Sequence, residues 1–214
     1  MVLKIDEIRW NDSQKNEKYF WESQFRIGNI DQFNRNAYYQ SVMEGVCPYI
    51  RDFLYSHNLE DKVLLDIGSG PEGILHKLEA KEKHALDPLM EEYENMGYDI
   101  HTNEVITNKG SSEEKISIYI NKFDIVFCLN ALDHFFNIDT SIKNIYSYLK
   151  DKGSLVLLTD LRTENQLDCF HKMPVSDVEI LSVLKNNNFI VDRQMIFNHG
   201  AGNPIKQWCA ICQK

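Results

Sequence analysis

The stretch Val63-Leu64-Leu65-Asp66-Ile67-Gly68-Ser69-Gly70-Pro71-Glu72-Gly73 joins an apolar run to glycines at the spacing G-x-G-x-x-G. The run reads as a buried strand that breaks into a turn and then opens a helix. Gly68 allows the tight turn, Gly70 lets the backbone approach a ligand, and Gly73 lets the next element pack close to the strand. A loop of this kind, with Ser69 between its first two glycines, can hold a nucleotide cofactor, and the spacing alone suits NAD or FAD. Asp66 narrows the choice. A carboxylate at the carboxyl end of the strand repels a pyrophosphate and attracts a cation, such as the ammonium of an amino acid. Its plainer alternative is a turn or helix cap. Asp87 follows Asp66 by 21 residues and precedes Pro88. An acid at that distance can accept both hydroxyls of a ribose, and it can also cap the helix that Pro88 begins.

These groups need a frame. From residue 61 onward, apolar runs at 63–67, 84–87, 105–107, 123–129, 154–159, 189–197 and 207–212 alternate with helical stretches at 74–78, 88–96, 112–119, 138–149 and 175–184. Near-continuous apolar strands alternating with helices predict an α/β, Rossmann-like doubly wound sheet covered on both faces. Residues 1–60 lack that rhythm. Tyr19, Phe20, Trp21 and Phe25, then Val42, Val46, Tyr49, Ile50, Phe53 and Leu54, recur at helical steps, with a break at Gly28-Asn29. The expected organisation is an N-terminal helical cap over 1–60 and a cofactor-binding domain over 61–214. The aromatic stripe, with Arg26, is either a core contact of the cap or a lid over the site.

Bulk properties set bounds. Hydrophobic residues make up 43% and charged residues 26%, with a net charge of -9. That suits a globular domain and argues against nucleic acid as a partner. No apolar run reaches membrane-spanning length, and the first residues lack the apolar core of a signal peptide. Five scattered cysteines suggest free thiols and a cytoplasmic address. Cys209 and Cys212 form a C-x-x-C pair, but residues three apart on a strand face opposite ways, so no metal or redox role is expected of them.

Asp66-x-Gly68-x-Gly70 resembles the first motif of class I S-adenosylmethionine-dependent methyltransferases. Phe123-Asp124-Ile125-Val126, running into Asn130-Ala131-Leu132-Asp133-His134, resembles their fourth motif. Residues 148–154 are similar to the L-K-x-G-G turn before strand five, with Ser154 in place of the second glycine. The resemblance runs from about residue 62 to 212. It implies a mostly parallel seven-stranded sheet with the last strand antiparallel, S-adenosylmethionine as cofactor and S-adenosylhomocysteine as product. It assigns the methionine end to Asp66, the glycine loop, Asn130 and Ala131. Asp87 with Pro88 takes the ribose, and Ser111 and Ser112 take the adenine, where an acid is more usual. Glu113 is as readily a helix N-terminal charge.

The Asn-x-Leu-Asp-His form is similar to small-molecule O-methyltransferases, including those of sugar and polysaccharide pathways. A sulfonium methyl is already activated, so the protein mainly aligns the reactants and excludes water. A base is needed if the acceptor is a poor nucleophile such as a sugar hydroxyl. His134, His171 and His199 lie in turns that can reach the acceptor, with Asp133 placed to orient His134 or meet a cationic acceptor. Asp133 and Asp160 lie at strand ends, but no compact carboxylate cluster accompanies them, and no metal is expected. The expected partner is a small-molecule acceptor, with neither nucleic acid nor membrane, in a monomer or homodimer. The competing readings are a non-catalytic cofactor-binding module, an N-methyltransferase and an NAD-dependent oxidoreductase, which Asp66 disfavours.

Overall fold

The computed structural model describes residues 3–26, 47–101, 104–198 and 203–214. Helix α1 (Glu7–Arg26) and helix α2 (Pro48–Ser56) precede the sheet. The expected break at Gly28-Asn29, the positions Val42 and Val46, and His199 lie outside the described residues.

Strands β1 (Val63–Ile67), β2 (Glu82–Asp87), β3 (Val105–Lys109), β4 (Phe123–Leu129), β5 (Leu149–Leu161), β6 (Ile190–Asn198) and β7 (Lys206–Gln213) form one seven-stranded sheet in the order β3-β2-β1-β4-β5-β7-β6. β1 to β5 are parallel, and β7 runs antiparallel to both its neighbours. The order reverses between β1 and β4, and a ligand of an open α/β sheet sits at the carboxyl end of such a switch point.

Strand alternation splits the apolar residues into two cores. Leu65, Ile67, Val126, Cys128, Leu155 and Leu157 face helices α4 (Ile138–Tyr148) and α5 (Asp177–Asn186). Leu64, Ile125, Phe127, Val156 and Leu158 face α2 and helix α3 (Met90–Met96). Asp124 pins the middle of the sheet, accepting from the Val63 amide at 2.8 Å and from Lys150 Nζ at 2.7 Å. Helix starts follow the side chains expected of them. Asn137 accepts from the Thr140 amide at 3.1 Å, and Ser176 accepts from Glu179 at 3.4 Å.

Several predicted helices are shorter in the fold. The stretch after Gly73 is one 3₁₀ turn, Ile74–Lys77, because the crossover from β1 to β2 has little chain to spare. The stretch predicted at 112–119 contributes only the 3₁₀ turn Ser117–Tyr119. Strand β5 is longer than predicted. It begins at Leu149, paired with Phe123, and turns at Lys152, whose φ is +63°, before realigning on β4.

Gly68 holds φ +67°, and a Cβ there would strike the side chain of Ala131. Gly68→Ala therefore combines left-handed strain with overpacking. It should cost about 2–5 kcal/mol. Urea unfolding should show a lower midpoint with an unchanged slope, and an unchanged midpoint would contradict the assignment.

Candidate active site

The carboxyl ends of β1, β2 and β4 open into a cleft. Ile67, Gly68 and Gly70 form its floor, and Leu86, Asp87, Pro88, Leu89 and Tyr93 one flank. Gly110, Ser111, Ser112 and Glu113 close one end, while Asn130, Ala131, His134 and Phe135 form the opposite flank. Most of the sequence-predicted residues therefore share one wall.

Asp87 is the hub of that wall. Oδ1 accepts from the Leu89 amide at 2.8 Å, Oδ2 from the Gly70 amide at 3.0 Å, and Tyr93 adds a side-chain hydrogen bond. Asp87 thus caps the start of α3 while it lines the cleft. Burial pushes its pKa up to about 6 against the pull of those two amides. Asp66 lies one layer behind the wall, 2% exposed and outside the cleft lining. It accepts from the Ile74 amide, while Oδ2 has no hydrogen-bond partner. Burial, with the Asp87 carboxylate adding to it, pushes its pKa up to about 8. A Cβ on Gly73 would strike Asp66 Oδ2, so this glycine makes room for the carboxylate. Ser69 is buried and donates to the Gly70 carbonyl at 3.0 Å.

The turn after β3 is braced from within. Ser112 Oγ shares a 2.8 Å hydrogen bond with Ser141 Oγ, and Asn144 Nδ2 donates to the Ser112 carbonyl at 3.0 Å. Glu113 Oε1 accepts from the amides of Phe136 and Asn137 at 2.8 and 3.0 Å, just ahead of α4. It is a helix N-terminal charge, serving a helix distant in sequence. Asn130 sits at φ +53°, where β4 ends, and its Oδ1 accepts from Gln207 Nε2 at 3.1 Å.

Helix α1 lies across the cleft. Trp10, Gln14, Glu17 and Trp21 recur at four- and three-residue steps and line it from above. Trp10 Nε1 donates to the His134 carbonyl at 3.1 Å, and Tyr98 Oη donates to the Trp21 carbonyl at 2.8 Å. Trp21 packs edge-on against Tyr93 and Tyr98, with centroids 6.1 and 6.3 Å apart. Of the aromatic stripe weighed as a lid, Trp21 alone meets the cleft. Tyr19 is 54% exposed, Phe20 packs on Phe170, and Arg26 pairs with Glu22.

His134 is the histidine on the wall, and its Nδ1 lies 3.3 Å from Glu17 Oε1 in ion-pair range without hydrogen-bond alignment. His171 stands behind it, with ring centroids 4.5 Å apart. The His171 Nδ1 is held by Asp168 Oδ1 and Oδ2 at 2.8 and 2.9 Å. Asp133 is buried, accepting from Thr159 Oγ1 at 3.2 Å and lying 3.5 Å from Arg162 Nε. The sequence shows no compact carboxylate cluster at these strand ends. The fold instead gathers a mixed set, Asp133, His134 and His171.

A methyltransferase domain model matches residues 38–195, which is more than half of the chain. The chain belongs to the class I S-adenosylmethionine-dependent methyltransferases. No curated protein matches it in sequence. Among solved structures it is similar to the YcgJ protein from Bacillus subtilis, at TM-score 0.61 and 16% identity, covering 76% of this chain and 96% of that one. An S-adenosylmethionine-dependent methyltransferase from Mesorhizobium loti superposes at TM-score 0.60 and 12% identity, covering 80% of this chain and 100% of that one. Geranyl diphosphate C-methyltransferase from Streptomyces coelicolor, solved with Mg²⁺, geranyl diphosphate and S-adenosylhomocysteine, superposes at TM-score 0.61 and 11% identity over 76% of each chain. At such identities the likeness is one of fold.

The two raised carboxyls set an expectation for the pH dependence of cofactor binding. A ribose diol donates to ionised Asp87, and a cation favours ionised Asp66. Affinity for S-adenosylhomocysteine should rise as pH climbs through about 6 and again through about 8. Calorimetry across that window checks it. Asp87→Asn should remove the lower step, and a flat profile in the wild type would contradict the assignment.

Proposed function

We propose that this protein moves the methyl group of S-adenosylmethionine to a hydroxyl oxygen of a small molecule. The observation that carries the reading is the continuity of one cleft from the glycine loop and Asp87 to His134. Asp87 takes the ribose hydroxyls, and Ser111 with the Gly110 backbone takes the adenine end. Asn130, Ala131 and the backbone of Gly68 and Gly70 face the methionine end, and Asp66, buried behind them, adds negative charge as it ionises near pH 8. The acceptor enters on the His134 side, beneath α1, where Trp10 helps exclude water, while Trp21 covers the cleft on the Tyr93 side. In this arrangement residues 1–60 act as the cap and 61–214 as the domain that binds the cofactor. Five free thiols among the described residues suit a reducing, cytoplasmic setting.

The chemistry asked of the protein is alignment of oxygen, methyl and sulfur, together with a group that holds the acceptor hydroxyl or takes its proton. His134 is that group, and His171 supports it from behind. Glu17 favours a second reading. A carboxylate on the cleft wall also suits a cationic amine, which would place the methyl on nitrogen.

A panel of sugar, phenol and amine acceptors, read by mass spectrometry of the product, separates the two. His134→Ala should lower kcat/KM for a hydroxyl acceptor by about 10²–10⁴ while S-adenosylhomocysteine binding persists. Unchanged turnover in that variant would remove His134 from the chemistry. Methyl found only on nitrogen would replace the oxygen reading with the second one.

A further inference from the structure

We infer that Asp133, His134 and His171 form a binding site for one first-row transition-metal dication at the edge of the cleft. Each of the three offers one ligand atom, and these atoms lie within 4.8 Å of one another. The closest pair carries the argument. Asp133 Oδ2 and His171 Nε2 face each other at 3.6 Å. Asp168 occupies the other side of the same imidazole with both its oxygens. A proton on Nδ1 satisfies that carboxylate and leaves a lone pair on Nε2, so two acceptors then confront one another. A carboxylate holding the far nitrogen of a metal-ligating imidazole is a recurring second-shell device. A tetrahedral site with bonds of about 2.1 Å has edges of about 3.4 Å, close to the observed separation.

Arg162 is the cation now nearest to both acceptors, and it serves neither well. Its Nε is 3.5 Å from Asp133 Oδ2, buried, and without a hydrogen-bond partner. Its Nη2 makes a long hydrogen bond, 3.3 Å, to His171 Nε2 and a shorter one, 2.9 Å, to Asp160 Oδ2. The guanidinium can keep Asp160 while an ion takes the other two. Charge points the same way. Asp133, Asp160 and Asp168 surround the Arg162 guanidinium and Glu17 lies beside His134, so with both imidazoles neutral these groups carry more negative than positive charge. The buried Nδ1 of His134 also lacks a hydrogen-bond partner. Imidazole nitrogens with one carboxylate favour Zn²⁺, Fe²⁺, Co²⁺ or Mn²⁺ over Mg²⁺ or Ca²⁺. Three protein ligands leave a coordination position open, and His134 directs it to the cleft. That this position meets the acceptor oxygen rests on the methyl-transfer reading; the metal site does not. With an ion bound, the two histidines act as ligands rather than bases at the coordinating nitrogens.

The test is calorimetric titration of the chelator-treated full chain with ZnCl₂ and with MnCl₂, alongside S-adenosylhomocysteine as a control for the folded cleft. The inference expects one ion per chain. Affinity should fall more than about 100-fold in His171→Ala and in Asp133→Asn, and about 10–100-fold in Asp168→Asn, as for loss of a second-shell partner. Absence of uptake by wild type that still binds S-adenosylhomocysteine would overturn the metal site and leave the methyltransferase reading standing. Uptake that survives both ligand substitutions would overturn it too. Metal uptake without S-adenosylhomocysteine binding would keep the site and sink the proposed cofactor cleft.

Discussion

Asp87 closes two backbone amides from different elements onto one carboxylate, Gly70 from the loop after β1 and Leu89 ahead of α3. The shape of the cleft depends on that clasp. It draws the glycine loop toward β2 and fixes the start of α3, and with it Tyr93, against which Trp21 of α1 packs. Among the described residues no cation balances this buried carboxylate, and Asp66 is buried close by in the same condition. Burying an unpaired charge is costly, and the raised pKa values express that cost. Two buried acids of this kind suit a ligand that brings hydroxyl donors and positive charge. S-adenosylmethionine carries both, whereas a dinucleotide pyrophosphate would add repulsion.

Helix α1 completes the enclosure. A helix that presents Trp10 and Trp21 at its ends and Gln14 and Glu17 between them covers the cleft with both apolar and polar groups. Its hydrogen bonds reach the turn after β4 through Trp10 and the region after α3 through Trp21. The lid is therefore tied to both flanks, and any movement of α1 must break contacts on each side.

The centre of the sheet was legible in the sequence because its strands are buried on both faces and read as near-continuous apolar runs from Val63, Phe123 and Ser154. The glycine loop and Asp87 were legible because their chemistry is local. Three features were not. The lid stripe Trp10, Gln14, Glu17 and Trp21 mixes polar with apolar residues, so hydrophobic periodicity passes over it, though the four- and three-residue spacing was there to be read. The position of Asp66 behind the wall depends on the space beside Gly73, which only packing reveals. The association of Asp133 and His134 with His171 joins the turn after β4 to the loop after β5 and has no local signature. Helix lengths were overestimated where short crossovers permit only a 3₁₀ turn.

The central claim is that this cleft accepts an adenosyl sulfonium cofactor, and the measurement that reaches it most directly is a paired calorimetric titration of the wild-type protein at neutral pH, with S-adenosylmethionine in one cell and NAD⁺ in another. The account predicts micromolar one-to-one binding of the first and no measurable heat from the second. Binding of NAD⁺ with none of S-adenosylmethionine would contradict it.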